Sequence, residues 1–92
     1  MKQVQTVEDV YPAIEELIAE LKTTNQSSKL AAILHHRMHQ VAWTARSELF
    51  EELQNVFTKA LQSETAIIAK PTRNQIQQIL EVIDVYLKQS RT

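Results

Sequence analysis

The chain has 92 residues, of which 43% are hydrophobic and 23% are charged, with a formal net charge of −1. This length accommodates a single domain, residues 1–92, and the composition is that of a globular protein rather than a disordered one. The sequence contains no cysteine and no glycine, which excludes disulfides, thiolate metal sites and the glycine-dependent phosphate-binding motifs. Good helix formers dominate instead, so we expect an all-α fold.

The first predicted helix covers residues 8–22, where apolar side chains recur every three or four positions. Thr6 and Asp9 provide an N-terminal capping signal just before it. Pro12 competes with that start, because proline favours the first helical position and otherwise kinks a helix. The polar run at residues 23–28 predicts a loop.

Residues 28–62 contain no proline and predict either one long helix or two shorter ones. The apolar stripe rotates by roughly 100° around the helix axis near Ala45. Thr44 together with Ser47 could restart a helix at this point. We therefore expect two helices, or one helix that changes its packing partner half way.

The segment at residues 63–70 predicts either the tail of the third helix or a packed connector, because its adjacent isoleucines, Ile67 and Ile68, need burial. Pro71 precedes a predicted capping box formed by Thr72 and Gln75.

The last predicted helix covers residues 73–88, and Val82 and Val85 widen its apolar stripe. Three or four amphipathic helices joined by short loops pack as an antiparallel bundle, which is the fold we predict.

The three histidines are the candidates for site chemistry. His35 and His39 share a helix face at a spacing that can hold Zn²⁺ or Ni²⁺, although Arg37 between them repels a cation. Histidine phosphotransfer domains carry an exposed His-x-x-Lys-Gly motif. Counted from His36, the positions of the Lys and Gly are occupied here by His39 and Gln40. We expect a solvated or interface-flanking cluster without a cofactor, and metal binding or histidine phosphotransfer is the alternative.

The aromatic residues Trp43, Phe50 and Phe57 recur at intervals of seven. On one helix they would form a second apolar stripe, which is either core or a contact surface. Arg46 could cover the indole of Trp43, and aromatic residues and arginine are enriched at interfaces. We therefore predict a contact ridge of Trp43, Arg46, Phe50 and Phe57 bordered by His39. If histidines border the contact, association should weaken between about pH 7 and 5.5.

The sequence offers no catalytic motif and no apolar run near the ~20 residues that cross a bilayer. Its basic residues are not clustered, so Lys70, Arg73, Lys88 and Arg91 remain weak candidates for nucleic-acid binding, which we do not expect. We predict a non-enzymatic cytoplasmic protein, without a membrane partner, that acts through protein–protein contacts and forms a homodimer.

Overall fold

The computed structural model describes residues 4–24, 28–63 and 68–90, and these residues form four helices and no strand. The helices are α1 (Val7–Thr23), α2 (Ser28–His39), α3 (Arg46–Ser63) and α4 (Lys70–Ser90). Each helix packs against two neighbours, so the four form a ring in chain order, with α4 returning to α1. The predicted all-α bundle is therefore confirmed, with four helices in the described residues.

Side-chain contacts between α2 and its two neighbours show the helix directions. The end of α2 meets the middle of α1, where His39 Nε2 lies 2.7 Å from Glu15 Oε1. The same end of α2 meets the start of α3, where Arg37 Nε lies 3.3 Å from Glu52 Oε1. Because α2 begins five residues after α1 ends and its own end lies back beside the middle of α1, α2 runs antiparallel to α1. The second contact joins the end of α2 to the first half of α3, so α2 also runs antiparallel to α3.

Aromatic rings from three helices meet inside the bundle. The ring of Phe50, early in α3, packs 5.9 Å from Tyr11, early in α1, and 5.1 Å from Tyr86, late in α4. These positions show that α4 runs antiparallel to both α1 and α3. Aliphatic side chains fill the rest of the core, and the largest fully buried ones are Ile14, Leu17, Leu21, Leu34, Leu53, Ile76, Ile79 and Ile83.

The capping signal, not the proline, determines where α1 begins. Thr6 is the N-cap residue, and Asp9 Oδ2 accepts hydrogen bonds from the backbone N–H groups of Gln5 and Thr6, both at 3.1 Å. Pro12 lies inside the helix. The start at Val7 precedes the proline because the Asp9 carboxylate satisfies N–H groups that otherwise lack a partner at a helix start.

The ends of α1 and α2 are closed without glycine. The backbone N–H and the hydroxyl of Thr24 both donate to the carbonyl of Glu20, at 2.9 and 2.6 Å. At the end of α2, the N–H of Gln40 donates to the carbonyl of His36 at 2.9 Å. These bonds satisfy terminal carbonyls that a left-handed glycine cap often serves in other helices.

Of the two alternatives for residues 28–62, the structure confirms two separate helices. A connector at residues 40–45 separates α2 from α3. The hydroxyl of Thr44 donates to Glu48 Oε1 at 2.7 Å. The side-chain partner of Thr44 at the restart is therefore Glu48, one residue beyond the predicted Ser47.

The capping box predicted at the start of α4 is wrong. The helix begins three residues earlier than predicted, and Thr72 and Gln75 lie inside it with 2% and 4% exposure. The N–H of Arg73 donates to the carbonyl of Ala69 at 2.9 Å, so the first turn already encloses Pro71. Proline is tolerated there because N–H groups of the first turn have no intrahelical partner.

Of the segment predicted as a helix tail or a packed connector, the structure describes only Ser63, at the end of α3, and the residues from 68 onward. Ile68 is only 2% exposed and belongs to the hydrophobic core, so this described part of the segment is packed. Ile67, Arg91 and the centre of the first predicted loop, residues 25–27, lie outside the described residues.

Candidate functional site

Trp43 caps α2 instead of continuing a helical aromatic stripe. It lies in the connector, half-buried against the core, and its indole N–H donates to the carbonyl of Arg37 at 2.7 Å. That carbonyl belongs to the last turn of α2, where no intrahelical donor remains. The predicted continuous ridge of Trp43 with Phe50 and Phe57 is therefore wrong, because the connector interrupts the helix between them.

Phe50 and Phe57 are core residues of the bundle. Both side chains are 0% exposed within one chain, so neither can touch a partner of the folded protein. Their assignment to a contact ridge is corrected to the core, which the sequence had left as the alternative. A seven-residue spacing places the two rings on one face of a helix, whether that face lies in the core or at a contact surface.

Arg46 covers an aromatic ring, but the ring is that of Tyr11 and not that of Trp43. The guanidinium carbon lies 5.7 Å from the centroid of Tyr11. This cation–π contact ties the start of α3 to the first half of α1. Arg46 itself is exposed and therefore remains on the surface.

The three histidines lie on the exposed side of the second half of α2. The rings of His35 and His39 are 4.9 Å apart, and Glu15 contacts His39 from α1. The side chains of that contact are each 48% exposed, so it is a surface ion pair when the imidazole is protonated. His36 Nδ1 contacts the guanidinium of Arg37, and it acts as the acceptor because a guanidinium only donates.

The structure places one acid, Glu15, beside the histidine cluster. Among the described residues, no group of three or more His, Cys, Asp or Glu side chains is placed to hold a metal ion. Protein zinc sites use three or four side-chain ligands. The contact of Glu15 with His39 instead joins α1 to the end of α2.

A second surface, which the sequence did not assign to a site, lies along α4 and the segment before α1. Val85 is 53% exposed, although it is a large hydrophobic residue. It lines a shallow groove of about 410 Å³ together with Val4, Val7, Val82 and Tyr86. We call these five residues the Val85 face. The predicted widening of the α4 stripe by two valines was the sequence signal for it.

The Val85 face is apolar with few charges. The other residues that line its groove are uncharged polar side chains and one acid, Glu81. The neutral side chains Gln5, Thr6 and Gln89 complete the rim. Contiguous exposed apolar surface with a polar rim is characteristic of protein contact sites.

Of the basic residues considered for nucleic-acid binding, Lys70 and Lys88 are not brought together. Lys70 and Lys88 lie near opposite ends of α4, roughly 27 Å apart along the helix axis. Lys88 also forms an ion pair with Asp84 at 3.0 Å. This spacing does not create the clustered positive charge on which phosphate binding depends.

Comparison with protein-family models, curated proteins and solved structures finds no match for this chain. Within the described ranges, no helix is both long and apolar enough to cross a bilayer.

Proposed function

We propose that this chain is a non-enzymatic protein that acts through protein–protein contacts and forms a homodimer through the Val85 face. The observation that carries the proposal is the 53% exposure of Val85 beside other partly buried apolar side chains. Removing apolar surface from water contributes roughly 25 cal/mol per Å², so covering this face favours association. A domain of this length has a thin core, so burying apolar surface between two copies would add to its stability. The absence of cysteine is compatible with the cytoplasmic location that we propose.

The residues along α4 explain why a second copy fits this face. Glu81, Val85 and Gln89 are spaced by four residues and therefore form one ridge. In a two-fold contact the same patch is used by both copies. When two α4 helices cross antiparallel at Val85, Glu81 of one copy faces Gln89 of the other. The carboxylate can then accept a hydrogen bond from the amide, and no like charges meet along the ridge.

Sedimentation equilibrium at micromolar concentration tests the proposal. We expect a mass near twice the 10.6 kDa of one chain, and a monomer for Val85→Lys, because the lysine charge would be buried in the contact. Ala32→Lys is the matched control, since it places the same side chain at an exposed position of α2, across the ring from α4.

Two results would contradict the proposal. A wild-type monomer at micromolar concentration would remove the homodimer. A Val85→Lys dimer as tight as that of the control would show that the contact lies elsewhere. Far-UV circular dichroism establishes that both variants keep the helical fold.

A histidine-based site on α2 is the second candidate, and the contact of Glu15 with His39 beside His35 favours it. Elemental analysis of untagged protein tests the metal version, and a phosphohistidine assay tests phosphotransfer. Stoichiometric metal, stability that falls in chelator, or a stable phosphohistidine would support this candidate over the contact protein.

A further inference from the structure

The segment just before α1 is held in place by side chains from two helices. The backbone N–H of Val4 donates to Gln78 Oε1 of α4 at 3.3 Å. The next two N–H groups, of Gln5 and Thr6, donate to Asp9 Oδ2 of α1, both at 3.1 Å. Three consecutive backbone donors are therefore bound by side chains of different helices. We call this three-residue segment the strap.

Only one side chain of the strap is buried. Val4 is 7% exposed and belongs to the hydrophobic core, whereas Gln5 and Thr6 are exposed. Val4 is also part of the Val85 face, and all three strap residues line its groove. One side of that face is therefore built by a segment that lies outside the four helices.

Few interactions hold the strap against the bundle. Fixing the backbone of three residues has an entropic cost of the same order as the gain from burying one valine and making a few hydrogen bonds. Segments with so few buried contacts open locally while the rest of a protein stays folded. Loss of the bond from Val4 to Gln78 should therefore shift the strap toward a released state.

We propose that the strap is a conformational switch for association, held by Gln78, and that only the bound strap completes the Val85 face. This inference rests on the proposed homodimer. When the strap is released, Val4 leaves the groove and one side of the face is lost. The apparent affinity between copies then falls with the fraction of molecules whose strap is bound. In a two-fold contact both copies must have it bound, and association in turn stabilises the bound strap.

Hydrogen exchange of the strap amides tests whether Gln78 holds the segment. At nanomolar concentration, below the micromolar range of the proposed dimer, Gln78→Ala should speed exchange at Gln5 and Thr6 by about two- to tenfold, which corresponds to one net hydrogen bond. Neither amide donates to Gln78, so this effect requires the strap to open as one unit. Gln77→Ala is the matched control, since it removes an exposed glutamine one position away, and should leave both rates unchanged.

Sedimentation equilibrium of the same variants tests the coupling to association. The protection of the strap amides gives the fraction of bound strap in each variant. The dissociation constant of the dimer should rise as the inverse square of that fraction. In the wild type, raising the concentration into the range where dimers form should further slow exchange of the strap amides.

Three results would overturn parts of this inference. Equal exchange at Gln5 and Thr6 in the Gln78→Ala and Gln77→Ala proteins would refute the strap, whether or not the chain dimerises. If dimers form but strap exchange is the same at both concentrations, the homodimer stands and the coupling is refuted. A wild-type monomer would refute the homodimer and the coupling together, while the nanomolar experiment still decides whether Gln78 holds the strap.

Discussion

Replacing Trp43 with phenylalanine tests the cap that ends α2. The change keeps an aromatic ring against the core and removes the indole N–H that donates to the Arg37 carbonyl at 2.7 Å. One hydrogen bond contributes a net ~0.5–1.5 kcal/mol to stability. The site is half-buried, so water only partly replaces the lost donor, and we expect a loss of about 1 kcal/mol. For a domain of this size that corresponds to a fall in Tm of roughly 4–8 °C.

Thermal and urea unfolding followed by far-UV circular dichroism measures this loss. All proteins are compared at one concentration, because association adds to apparent stability. Thr44→Val is the matched control, since it removes an exposed hydrogen bond to Glu48 from the same connector, and we expect it to cost below about 0.5 kcal/mol. If Trp43→Phe unfolds like the wild type, the indole cap does not stabilise the end of α2.

The remaining predictions concern the core, the histidine contact and the dimer. Phe57→Ala should lower the free energy of unfolding in urea by about 3–5 kcal/mol because the ring is fully buried. A variant that is as stable as the wild type but sediments as a monomer would instead assign Phe57 to an interface. Glu15→Gln should cost at most about 1 kcal/mol because its pair with His39 is half-exposed, and a larger loss in the same assay would indicate a buried role. Gln89→Glu should weaken association by placing two carboxylates opposite each other, and Glu81→Gln in the same chain should restore it, as measured by sedimentation; no response to either change would exclude the antiparallel register.

Helix periodicity predicted most of the fold. The rotation of the apolar stripe near Ala45 correctly indicated the break between α2 and α3, because a helix that turns to a new partner presents a new face. The capping signal of Thr6 and Asp9 correctly placed the start of α1. The start of α4 was misplaced, because Thr72 and Gln75 are buried inside the helix and their pattern resembles a cap only in sequence.

The surface contacts could not be read from local sequence. The spacing of Trp43 from Phe50 matched two helical turns, but the connector between them breaks that register. Glu15 meets His39 through the antiparallel packing of α1 and α2, which no local pattern encodes. The exposure of Val85 likewise depends on how far the neighbouring helices cover α4. The sequence showed only that the apolar stripe of α4 is wide.

Cross-linking through a single engineered cysteine tests the dimer most directly. The chain has no cysteine, so Val85→Cys introduces the only thiol, and a two-fold crossing at this residue brings it against the same residue of the second copy. Disulfides require Cβ atoms within about 3.5–4.5 Å. We predict that mild oxidation converts Val85→Cys to a covalent dimer, whereas Ala32→Cys stays monomeric on a denaturing gel. Equal cross-linking of both variants, or none at Val85→Cys, would contradict a contact through the Val85 face.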